Sequence, residues 1–130
     1  MLDTNAVTAI VKGRASALSA ILNDRRFCIS VITEAELRFG LARRAVNADL
    51  RRIVENFLAT TDVLPWTSAS AQRYGSLRTE LEAHGKPLAP MDLLIATHAS
   101  AEDCTLVSAD RAFAHVPGLR VLDWSTAPDQ

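Results

Sequence analysis

The sequence predicts an α/β fold, a three-layer domain in which helices cover both faces of a five-stranded parallel sheet. Short β-branched runs alternate with helical patterns along the whole chain, and that alternation builds parallel sheets. The clearest run, Phe27-Cys28-Ile29-Ser30-Val31-Ile32, is apolar apart from one serine, as strands buried on both faces are. The size fits one such unit: 130 residues, 48% hydrophobic and 22% charged, read as a single domain over 1–130 without linker or internal repeat.

The elements follow in order. Met1-Leu2 forms a very short first strand before Asp3-Thr4-Asn5, where the chain turns into a helix over 6–12 that Gly13 stops. A second helix over 15–22 leads into the 27–32 strand. Thr33 and Glu36 then read as a capping box that opens a third helix. Leu50, Ile53, Val54, Phe57 and Leu58 make the apolar stripe of a fourth helix facing the core. Val63-Leu64 is the third strand, ended by Pro65. The fifth helix, over 67–84, turns Ala71, Tyr74, Leu77 and Leu81 inward and stops at Gly85. Pro90 begins a sixth helix so nearly apolar (Met91-Asp92-Leu93-Leu94-Ile95-Ala96) that it is expected to be buried. Residues 105–108 and 120–122 complete the strands.

Composition narrows the function. A net charge of −1 gives no bulk basic footprint for nucleic acid. All basic residues except Lys12 and Lys86 are Arg, which suits planar pairing with phosphate or carboxylate but is equally what a GC-rich genome encodes. No apolar run reaches the ~20 residues that span a bilayer, and Asp3 sits where a signal peptide would be basic. The chain reads as cytoplasmic, with Cys28 and Cys104 as buried thiols, too few for a disulfide framework.

Four acids stand apart from those on helix faces. Asp3 follows the first strand, Glu36 lies one turn into the helix after the second, Asp110 follows the fourth, and Asp92 heads the buried helix. Ligands of open parallel sheets bind outside the carboxyl ends of the strands, at the switch in strand order. Each acid also has a plainer reading: Asp3 as a helix N-cap, Glu36 closing the capping box, Asp110 in an Asx-turn, Asp92 favouring a helix dipole. Brought together, the four would repel unless a cation sat among them. Oxygen-only donors select Mg²⁺ or Mn²⁺ over zinc, and His84, His98 and His115 lack the spacing of zinc ligands. One or two such ions could activate water against a phosphodiester.

These residues lie in blocks that resemble the PIN-domain toxins of the VapC type. The blocks are Met1-Leu2-Asp3-Thr4-Asn5, the run from Ile29 to Leu37, Pro90-Met91-Asp92-Leu93-Leu94-Ile95-Ala96-Thr97-His98-Ala99, and Thr105-Leu106-Val107-Ser108-Ala109-Asp110-Arg111. Tyr74 to Glu82, Gly85-Lys86-Pro87-Leu88 and Val116 to Trp124 match as well, so the resemblance runs nearly end to end. It implies a toxin of a type II toxin–antitoxin pair, a Mg²⁺- or Mn²⁺-dependent endoribonuclease using one or two ions. Asp3 and Asp92 correspond to direct metal ligands, and Glu36 and Asp110 to ligands directly or through water. Asn5 and Ser108 match supporting polar positions. Glu36 is preferred over Glu34 because the family block ends Ala-Glu-Leu and the two side chains leave the helix in different directions. The resemblance further implies structured RNA as substrate, often initiator transfer RNA in its anticodon loop, with 5′-phosphate and 3′-hydroxyl products. Its implied partners are a VapB-type antitoxin, a second copy of the chain, and operator DNA read by the antitoxin.

Arg38, Arg43, Arg44, Arg51 and Arg52 form a basic stretch that suits either RNA backbone contact or a solvated surface. Trp66 and Trp124 are expected in the core or at a dimer edge. Two other functions compete: phosphatase-like or phospho-accepting chemistry at Asp3, and an inactive PIN-fold module that only grips an antitoxin. The former lacks the second acid of an Asp-x-Asp motif at Asn5 and a lysine after the last strand. The four acids weigh against the latter.

Overall fold

The computed structural model describes residues 1–43 and 45–126. Its elements run α1 (Thr4–Val11), α2 (Ser16–Leu22), β1 (Cys28–Ser30), α3 (Val31–Arg43), α4 (Ala48–Thr60), β2 (Asp62–Leu64), α5 (Ser68–Ala83), α6 (Pro90–Ala101), β3 (Leu106–Val107) and β4 (Val121–Leu122). Short 3₁₀ turns at Arg111–His115 and Trp124–Thr126 flank β4.

Leu2 is the seam of the sheet. It bridges in parallel to Ile29 of β1 on one side and to Val107 of β3 on the other. The Leu2 N–H donates to the Cys28 carbonyl at 2.9 Å, and the Val107 N–H donates to the Met1 carbonyl at 2.8 Å. β1 pairs in parallel with β2 (Ile29 opposite Val63), and β3 with β4 (Leu106 opposite Val121). The five extended segments therefore run β2-β1-Leu2-β3-β4, all parallel. The expected first strand is a single bridging residue. Because the chain moves outward from Leu2 to β1 and β2 and then returns to β3 on the other side, strand order switches at Leu2. Asp3 is the next residue.

Two apolar clusters cover the two faces. Leu2, Val7, Leu18, Ile29, Leu37 and Leu58 belong to the layer built by α1 to α4. Leu77, Leu81, Ile95, Ala99, Leu106 and Phe113 belong to the layer built by α5 and α6. The patterns hold in part: Val54 and Leu58 of α4, Leu77 and Leu81 of α5, and Leu93 with Ile95 to Ala99 of α6 supply the buried positions. Ile53, Ala71 and Met91, expected inward, are exposed, because each lies at the edge of its helix's apolar face. Pro90 opens α6, and Gly85 turns the chain away from α5 at φ +67, a backbone that glycine adopts without a steric penalty.

One local expectation fails. The 27–32 strand ends at Ser30, and α3 begins at Val31, so Thr33 lies inside the helix instead of capping it. Ser30 Oγ accepts the Ile32 N–H at 3.0 Å and takes over the cap. The β-branched Val31-Ile32 pair favours strand, but pairing with β2 reaches only as far as Ser30 opposite Leu64, and tertiary context decides beyond that point. The thiols also differ from expectation. Cys28 and Cys104 are half-buried rather than buried, with their sulfurs 4.0 Å apart at the amino ends of the strands, away from the acids.

Candidate active site

The carboxyl ends of the parallel segments bring the four predicted acids into electrostatic reach of one another. Asp3 is 4% exposed and caps α1, its Oδ1 accepting the Ala6 N–H at 2.8 Å. Burial pushes its carboxyl above the ordinary value; hydrogen bonds from Ser108 and Ala6 pull back, and nearby Asp110 and Glu36 push upward again. Asp92 stands in the first turn of α6. Its carboxyl is also raised, first by burial and then by the charges of Asp110, Glu36 and Asp3. The helix N-terminus behind Asp92 favours its ionised form.

Glu36 is held from across the site. Thr4 Oγ1, at the start of α1, donates to Glu36 Oε1 at 2.5 Å. Glu34 instead pairs with Arg38 at 2.8 Å along the outer surface of α3, so the geometry separates the two glutamates as the sequence preference does. Asp110 caps the 3₁₀ turn at Arg111–His115, its Oδ1 accepting the Ala112 N–H at 2.9 Å. Ser108 is fully buried behind both aspartates: its Oγ accepts the Asp110 N–H at 3.0 Å, and its hydroxyl serves Asp3. Asn5 is exposed on α1 and makes no side-chain hydrogen bond among the described residues.

The local readings and the joint one thus hold together. Asp3 and Asp110 do cap helical turns, and capping fixes one oxygen of each carboxylate. Glu36 closes no capping box, because α3 starts too early. Thr4 is the residue that sequence reasoning did not assign to the site; the only signal for it was a hydroxyl directly after Asp3.

No Lys or Arg lies within ion-pair distance of these four acids among the described residues. Arg38 pairs with Glu34 and Glu55, Arg52 with Asp49, and Arg120 with Asp103. The basic stretch is likewise engaged elsewhere: Arg51 donates to the Leu41 carbonyl at 3.0 Å, and the Arg43 guanidinium lies 5.3 Å from the centre of the Phe39 ring. Arg44 lies outside the described residues. Trp66 meets Tyr74 and His98 edge-on, and Trp124 packs against the larger apolar cluster.

Four carboxylates within electrostatic reach, with no protein cation between them among the described residues, are a donor set for a hard divalent ion. They do not form a closed cage: among the described residues no three His, Cys, Asp or Glu side chains are drawn tightly enough together for that. The donors fit the ion by chemistry and by convergence.

Comparison with known proteins identifies the family. The PIN domain family model matches residues 1–119. The tRNA(fMet)-specific endonuclease VapC of Shigella flexneri is 34% identical over 128 residues, spanning 96% of this chain and 97% of that protein. The DNA-bound VapBC of Salmonella typhimurium superimposes with a TM-score of 0.87 at 34% identity, over 95% of this chain and 96% of that one. VapBC2 of Rickettsia felis, bound to a promoter DNA fragment, superimposes with a TM-score of 0.84 at 30% identity, over 94% and 96% of the two chains. The chain belongs to the PIN domain family, and within it to the VapC-type toxins.

Proposed function

We propose that the protein is the toxin of a VapBC-type pair and acts as a Mg²⁺- or Mn²⁺-dependent endoribonuclease. The observation that carries this is the approach of Asp3, Glu36, Asp92 and Asp110 at the strand-order switch, with no protein cation paired to them among the described residues. Asp3 and Asp92 would hold the metal, with Glu36 and Asp110 as further ligands. A divalent ion bound there supplies an activated water for attack on phosphorus and charge stabilisation for the leaving 3′-oxygen. The chain's own residues set the geometry. Thr4 fixes the rotamer of Glu36; the Ala6 N–H and Ser108 orient Asp3; the first turn of α6 presents Asp92. Asn5, exposed beside Asp3, is free to meet the substrate.

Substrate and partners come to this chain from its relatives. The name of the Shigella relative supports initiator transfer RNA, with the anticodon loop as its exposed single-stranded target. The VapBC complexes support a VapB-type antitoxin and assembly on promoter DNA, with the antitoxin reading the DNA. A homodimer completes the reading. No helix among the described residues is long and apolar enough to cross a membrane.

The test uses antitoxin-free protein and end-labelled total transfer RNA. A discrete cut in Mg²⁺ or Mn²⁺, absent with EDTA and absent in Asp92→Asn, is expected. Cleavage that persists in EDTA contradicts the metal role. Failure on both transfer and ribosomal RNA returns the protein to an antitoxin-binding module.

A further inference from the structure

α6 carries Asp92 in its first turn and a second titratable residue, His98, in its last. His98 is fully buried. Its ring meets two other segments at once. Nε2 lies 3.1 Å from the Pro65 carbonyl just after β2, and Nδ1 lies 2.6 Å from Ser30 Oγ at the β1–α3 junction. Trp66 packs edge-on at 5.5 Å between ring centres, and Glu102 approaches no closer than 4.0 Å. The carbonyl can only accept, so Nε2 carries the proton. Burial lowers the ring's proton affinity, so the ring is neutral near pH 7 and Nδ1 accepts. The single Ser30 hydroxyl proton is then committed to His98, which leaves Ser30 Oγ to accept the Ile32 N–H. Every donor and acceptor in the chain Ile32–Ser30–His98–Pro65 has one assigned direction.

The junction these bonds hold is sharp. β1 ends at Ser30 and α3 starts at Val31 with no loop between them, so Ser30 Oγ is the one side-chain atom capping that corner. α3 carries Glu36, and α6 carries Asp92. The relay ties the two acid-bearing helices through a polar path whose Ser30–His98 link is buried, and none of its hydrogen bonds reaches the acids.

We propose that His98 is a positioning residue for the metal site: its neutral Nε2–H imidazole, through Ser30, sets the spacing of Glu36 on α3 against Asp92 on α6. This rests on the metal-dependent reading above. Outer partners of metal ligands typically change affinity by roughly 10–100-fold, and a partner one step further out belongs at the lower end.

The test is Mn²⁺ binding by calorimetry at neutral pH, with thermal melts alongside, on wild type, Ser30→Ala, His98→Leu, His98→Asn and the Ser30→Ala/His98→Leu double variant. Ser30→Ala and His98→Leu are each expected to weaken Mn²⁺ binding by about tenfold while still melting cooperatively. The double variant should lose no more than either single one, as members of one relay do. His98→Asn, whose amide oxygen can still accept from Ser30, should recover most of the affinity. Lower melting temperatures with unchanged Mn²⁺ affinity would show His98 to be a packing residue and overturn the proposal. If His98→Leu does not fold, Ser30→Ala and His98→Asn decide it by the same comparison. A wild type that binds no Mn²⁺ overturns the metal reading and this role with it, whereas a wild type that binds with variants that bind equally overturns the role alone.

Discussion

At the scale of single residues, the site depends on hydroxyls that hold carboxylates still. Thr4→Val removes the donor to Glu36 at nearly constant volume. Cleavage should fall by roughly 10–100-fold, while stability, read by urea denaturation, changes by about 1 kcal/mol, the worth of one hydrogen bond. The titratable residues give a pH signature whose sign follows from burial. His98 in the folded chain refuses a proton that an unfolded histidine takes up near pH 6.5. Its contribution to stability is therefore complete above about that pH and is lost as pH falls through the depressed folded value. Asp3 and Asp92 act in the opposite sense. Their raised values favour the folded chain at low pH, below the ordinary carboxylate range, and that advantage is lost as pH rises through the folded values. Melting temperatures of wild type and His98→Asn between pH 7.5 and 5.5 isolate the histidine. The wild type should lose more stability on acidification than the variant; parallel curves would show that His98 protonates without cost in the fold.

At the scale of elements, hydrophobic pattern and boundary chemistry carried different amounts of information. Continuous apolar runs located the strands, and the stripes of α4 and α5 found Val54, Leu58, Leu77 and Leu81 but overreached at Ile53 and Ala71, which are exposed. Those signals depend only on neighbours along the chain. Boundaries depended on partners elsewhere. The capping-box pattern at Thr33 and Glu36 failed because the cap is Ser30, whose other partner, His98, lies 68 residues away. Nothing near Ser30 in the chain marks that pairing. The acids' placement near one another was legible because positions after strands and at a helix head are local facts. Glu36 was preferred on its Ala-Glu-Leu block and side-chain direction, and the structure finds Glu34 paired with Arg38 instead. Thr4 was not legible, since its acceptor sits on another helix. Leu2 shows how much one residue can bear. It is fully buried and completes both halves of the sheet. Leu2→Ala should cost about 2–5 kcal/mol in urea denaturation, and a loss below about 1 kcal/mol would mean that the sheet does not depend on this bridge.

At the scale of the whole molecule, the fold gathers like charges that would separate in an unfolded chain. Acids from four separate segments come within electrostatic reach where the strand order switches, and Arg38, Arg51, Arg52 and Arg120 are engaged elsewhere. The folded protein therefore carries a destabilising cluster whose relief is tied to function, a trade common at active sites. Two consequences follow from the same charges. A divalent ion that binds the folded chain and not the unfolded one raises its melting temperature, and Asp92→Asn removes repulsion together with a ligand. The most direct measurement is a thermal melt near pH 7.5 of wild type and Asp92→Asn, each in EDTA and in Mn²⁺. In EDTA the variant should melt above the wild type. In Mn²⁺ the wild type should gain stability and the variant should gain far less. A wild type indifferent to Mn²⁺, or a variant that melts lower in EDTA and gains equally from the ion, would contradict the assignment of these four carboxylates to one metal site.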